Sequence, residues 1–174
     1  MNIRETLLEE HSKSQCNKIV KYIGADKRKF AELMQAFFGN DYRITQRAAW
    51  PLSYSATEHP ELIAPYLGKL INMLEKPGVH NAVTRNIARL LQDVPIPKKY
   101  HGRIMTACFQ FISDITTPVA VKAFSLTLLD NLSREYPEIM PELKLVIEEH
   151  WNDETPAFKS RARKILRRME TRKK

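Results

Sequence analysis

Glycine is scarce in this chain, with five among 174 residues. That scarcity excludes the glycine-rich loops that cradle phosphates, and neither a Walker loop nor a dinucleotide fingerprint occurs. Only two cysteines are present, Cys16 and Cys108, with no framework spacing, so a disulfide scaffold is excluded and a reduced compartment is expected. No apolar run approaches the roughly 18 residues a membrane span needs. The first residues, MNIRETLLEEHSK, are too charged for a secretory signal. The expectation is a cytoplasmic protein away from membranes. Asn-Gly and Asp-Gly turns are missing, and no strand pair can be traced. H-E-x-x-H, C-x-x-C and G-x-S-x-G are missing too, so no catalytic residues, cofactor or metal ligands are expected. The five histidines are scattered, and the densest mixed cluster, EEHWNDE at 148–154, lacks the Glu-x-x-His spacing of di-iron helices.

Hydrophobic residues make up 43% of the chain, enough for a buried core in one domain or one continuous stack. The formal net charge is +8, but its location decides its meaning. Nine Lys or Arg and one Glu lie in residues 159–174, which leaves nineteen charges of each sign before them. Any attraction for an anionic partner must come from the C-terminal segment or from uneven placement of the remaining charges.

Proline supplies the punctuation, and between prolines the periodicity is helical. Phe30, Leu33, Met34 and Phe37 recur at i, i+3, i+4 and i+7, as do Leu67, Leu70, Ile71 and Leu74. Val121, Phe124, Leu128 and Leu132 form another stripe, and Leu143, Val146 and Ile147 a shorter one. Asp26 and Asp41 stand where helix N-caps belong, with Gly39 as a terminator between them. These signals predict helices near 2–11, 14–23, 26–38, 41–57, 60–76, 79–93, 97–114, 117–135, 138–151 and 156–172.

The helices repeat in pairs. RAAWPL at Arg47, RNIARL at Arg85, KAFSLT at Lys122 and RARKIL at Arg161 align at spacings near 38 residues, with one basic residue per unit. Fourteen positions earlier stand Leu33, Ile71, Cys108 and Ile147, all apolar. HPELIAPYLGKL and YPEIMPELKL place Pro65 and Pro141 two periods apart, whereas KYHGRIMTACF between them lacks the proline. This pattern resembles the HEAT and armadillo class of helical repeats over residues 26–172. The resemblance implies an all-α, right-handed α-solenoid of about four HEAT-like helix pairs. Residues 1–25 then form an N-terminal helical cap, 26–174 the repeat stack, and 156–172 a basic C-terminal helix.

In such stacks the second helices line the concave side. Arg43, Arg47, Trp50, Tyr54, Arg85, Arg89 and Lys122 are therefore the candidate binding face, fit for an acidic or extended protein segment. The competing reading is that these cations bond carbonyls and acids of adjacent repeats. The last helix is amphipathic: Phe158, Ala162, Ile165 and Met169 line one face, and Arg161, Arg163, Lys164, Arg167, Arg168 and Arg172 cover the rest. It closes the solenoid, or it contacts phosphates. The chain is also similar in architecture to HEAT-like alkylpurine DNA glycosylases, which use aromatics and an Asp on the concave face. Trp50 has no acid one turn on, and Trp151 has Asp153 only two residues away, so the glycosylase arrangement is not supported here. A non-enzymatic protein-binding module is expected, with nucleic-acid binding as the alternative.

Overall fold

The computed structural model describes residues 1–171, and every regular element among them is helical. The first four helices are α1 (Ile3–Glu9), α2 (Lys13–Ile23), α3 (Lys27–Phe38) and α4 (Tyr42–Glu58). Next come α5 (Pro60–Ile63), α6 (Leu67–Glu75), α7 (Asn81–Leu91), α8 (His101–Ser113) and α9 (Val119–Leu132). The chain closes with α10 (Met140–His150) and α11 (Pro156–Thr171). Local chemistry starts the helices where the sequence says it should. The Asp26 carboxylate accepts from the amides of Arg28 and Lys29, and that of Asp41 from Arg43 and Ile44, satisfying first-turn donors that have no intrahelical partner.

The helices form two layers. In one layer α2, α4, α7, α9 and α11 pack side by side in chain order. The other holds α1 against α3 and then α6, α8 and α10 in series, with Phe30 of α3 meeting Tyr66 just before α6 at 6.0 Å between rings. Each first helix also packs on its own second helix, so α1–α2, α3–α4, α6–α7, α8–α9 and α10–α11 are the pairs that stack. A lone pair could not exclude water from its apolar stripe, and the neighbouring pair completes the core. The chain is thus an α-solenoid, with α1 and α2 at its N-terminal end.

The repeat register reaches the core intact. Leu33, Ile71, Cys108 and Ile147, equivalent in the four units, are all at zero exposure. The first helices share a further feature that proline placement only half announces. A short 3₁₀ turn precedes α6 (Ala64–Tyr66), α8 (Lys98–Tyr100) and α10 (Pro137–Ile139). The expected helix over 60–76 is therefore split at Pro65, which cannot donate to the i−4 carbonyl. The KYHGRIM unit carries the same turn without an internal proline. Tyr100, in that turn, comes so close to α6 that a Cβ added at Gly68 would lie 2.9 Å from its hydroxyl, so a larger residue there would oblige the tyrosine to shift.

α9 lies against α7, α8 and α11. Its sequence is apolar on nearly all sides, as a helix enclosed by neighbours requires. Val121, Leu126, Leu128, Leu129 and Leu132 are buried, but Phe124 is only half-buried and faces the surface of the second-helix layer.

Candidate functional site

The four repeat-equivalent cations take four different environments. Arg47, on α4, sends its guanidinium to the carbonyls of Leu7 and Leu8, both at 2.9 Å. These lie in the last turn of α1, which has no basic residue of its own, so Arg47 supplies the positive charge that such a terminus favours. Arg85, on α7, is half-buried and has no ion-pair partner among the described residues. Lys122, on α9, is 4% exposed, and its ammonium donates to the carboxylate of Glu154, itself 9% exposed, in the link between α10 and α11. Arg161, on α11, places its guanidinium 5.6 Å from the centre of the Phe124 ring.

The sequence pattern assigns Lys122 to the binding face, and the structure corrects this. The inner register of α9 runs through Lys122, Ser125, Leu126 and Leu129, so the ammonium points into the stack and is neutralised there. Arg47 is also committed, to the end of α1. Arg43 and Tyr54 are exposed on α4 but do not line the cleft that forms beside Trp50.

That cleft, about 350 Å³ in volume, lies between α4, α7 and α9. Trp50 and Phe124 are its aromatic walls, while Arg85, Asn86 and Arg89 project from successive turns of α7. Arg89 is the i+4 neighbour of Arg85 and the i+3 neighbour of Asn86, which is how one short stretch supplies all three polar groups. His11, after α1, closes the N-terminal side with its ring 5.6 Å from that of Trp50. Among the described residues no carboxylate lines the cleft. Asn86 is 7% exposed, and its side-chain nitrogen has no hydrogen-bond partner. Asn86, Phe124 and His11 are missed by the sequence reading. The signal for Asn86 is a polar residue among the apolar positions of NIARLL, and for Phe124 a large ring beside the small and polar residues of KAFS.

Of the predicted basic residues in the last helix, Arg168 is a fastening. Its guanidinium meets the Asp130 carboxylate, donates to the Ser133 hydroxyl at 2.8 Å and to the Asp130 carbonyl at 3.3 Å, closing the end of α9. Arg163 and Lys159 lie over the Trp151 ring at 5.4 and 6.0 Å. Lys164 and Arg167 are exposed, and Arg172 lies outside the described residues. Of the α11 stripe, Phe158, Ala162 and Ile165 are buried and Met169 packs partly exposed beside them.

Both cysteine thiols are free and buried, and burial pushes Cys16 up to about 11 and Cys108 to about 12, so neither is a thiolate near neutral pH. Among the described residues no three His, Cys, Asp or Glu side chains come together as a metal site. No described helix is long and apolar enough to cross a membrane.

No curated protein and no solved structure matches the chain. A family model of the HEAT repeat domain does, over residues 3–169, which spans α1 through most of α11. With paired helices stacked in two layers, a common core register and this match over nearly its whole length, the chain belongs to the HEAT repeat family.

Proposed function

We propose that the chain is a non-enzymatic, cytoplasmic protein-binding module that receives an acidic or extended segment of its partner on the second-helix layer. HEAT repeats commonly serve as protein-interaction scaffolds, and their stacked units build extended binding surfaces. The observation that carries the reading is the cleft: two arginines without acidic partners stand beside two aromatic rings on a surface that contributes no carboxylate. Aromatic anchors supply buried area on binding and unpaired cations steer encounter, a combination typical of recognition surfaces.

Affinity capture from cell lysate tests this, comparing the wild-type chain with an Arg85→Glu/Arg89→Glu pair. The pair should lose the specific partner while keeping the helical circular-dichroism signal. Identical partner sets would remove the cleft from the interaction. Cell fractionation checks the compartment, with recovery outside the cytosol counting against it.

Nucleic-acid binding is the second reading, favoured by the exposed Lys164 and Arg167 on α11. Affinity built on several phosphate contacts falls steeply with salt, by about a thousandfold or more between low and moderate salt for six or more contacts. A salt titration with duplex and single-stranded DNA therefore separates the two. An absence of binding at low salt removes this reading.

A further inference from the structure

We propose that Arg85, Asn86 and Arg89 form a carboxylate-binding subsite for an acidic side chain or a chain-terminal carboxylate of a partner protein. Trp50 and Phe124 hold the apolar neighbour of that group. The proposal rests on the protein-binding reading and sharpens it to one chemical group.

Two guanidiniums one helical turn apart offer forked N–H donors in the geometry a carboxylate accepts. Elsewhere in this protein such forks do hold acids: Arg103 holds Glu75, and Arg168 holds Asp130. Arg85 and Arg89 hold no acid, and none lines their cleft. Asn86 adds an independent sign of a missing ligand. It is more than nine-tenths buried, it lines the same cleft, and its amide nitrogen lacks an acceptor, although buried donors are normally paired. A carboxylate has two oxygens and about four lone-pair directions, enough for both guanidiniums and the amide.

The rings define what flanks that group. Arg161 already lies over Phe124, so a ligand meets that ring at its edge or remaining face, and Trp50 provides the opposite wall. The cleft suits one charged group with an apolar neighbour. It does not continue through the equivalent cations of α4 and α9, because Arg47 is spent on α1 and Lys122 is buried with Glu154. This favours a protein ligand over a nucleic-acid strand, for which a series of phosphate contacts is needed.

The test uses the full chain with Trp151→Phe, which leaves Trp50 as the sole tryptophan reporter. Three probes are titrated: a short Gly/Ser peptide with a central Leu-Glu-Leu-Glu stretch, the same peptide with Gln for Glu, and a short oligothymidylate. Both peptides are used with amidated and free C-termini, to separate side-chain from terminal carboxylate. A saturable Trp50 response to a carboxylate-bearing peptide is expected, weakened about ten- to a hundredfold when that carboxylate is neutralised. Arg85→Gln/Arg89→Gln should abolish the response. Asn86→Leu should weaken it about tenfold with the helical signal kept, and Arg85→Lys, the mildest change, should weaken it partially. Equal responses to charged and neutral peptides, or tighter saturation by the oligonucleotide, would overturn the subsite. So would silence toward every peptide. If lysate capture still depends on Arg85 and Arg89 while the peptides are silent, only the subsite falls; if both fail, the protein-binding reading falls with it.

Discussion

α11 and α7 put their basic residues to different use. α11 is the more heavily charged, yet Arg168 closes the end of α9, Arg161 lies over Phe124, and Arg163 and Lys159 cover Trp151, which leaves Lys164 and Arg167 exposed. α7 contributes only Arg85 and Arg89, and both remain without an acid beside a cleft that has none. Charge density along a sequence is therefore a poor guide to chemical availability, since four of the six described basic residues of α11 are engaged internally. A cation becomes a recognition element only when the fold withholds its internal partners.

The contrast can be broken at its most internal cation first. Lys122→Met leaves the Glu154 carboxylate buried and unpaired, which costs about 3–5 kcal/mol. Thermal unfolding should show a large loss, and Lys122→Met/Glu154→Met should recover most of it. Survival of the single variant unchanged would mean that Glu154 escapes to water. Arg168→Ala removes a half-buried pair and the bonds closing α9, with an expected loss of about 1–3 kcal/mol by denaturant titration. Arg47→Ala should cost about 1–2 kcal/mol through the two carbonyls of α1, with amide exchange accelerating first in that helix.

On the other side of the comparison, Arg85→Ala/Arg89→Ala should change stability by less than about 0.5 kcal/mol while removing partner binding. A large fall in melting temperature would assign these residues to the stack after all. The smallest effect belongs to Glu75, whose carboxyl is held below its ordinary 4.5 by hydrogen bonding to Arg103. A depressed carboxyl pKa contributes stability above the unfolded value, and that contribution disappears as pH falls through the folded value. Wild type and Arg103→Gln should therefore differ slightly at neutral pH and converge in acid, below 4.5.

The parts of this molecule that depend on local chemistry were legible in its sequence. Phe30, Leu33, Met34 and Phe37 follow helical spacing into the core, each at or below 1% exposure. Asp26 and Asp41 cap their helices with the expected side-chain bonds. Repeat register, too, is a sequence property, because equivalent positions must pack alike. The direction of a single side chain within that register is not. Lys122 occupies the place of Arg85 and Arg161, but a distant Glu154 draws it inward, and no spacing rule links residues 32 positions apart on different helices. The cleft depends on the same kind of information: His11, Trp50, Asn86 and Phe124 come from three helices and a connecting segment, and only the stacking offset brings them together.

The Glu154 contact has a mechanical consequence. Glu154 belongs to the connection leading into α11, so its bond to α9 anchors the final pair at one end, while Arg168 anchors it at the other. Terminal units of stacked arrays ordinarily fray first, since they have a neighbour on one side only. Here two rivets spanning the last seam make that edge peel together with the layer beneath it, so protection in α11 should rise and fall with protection in α9.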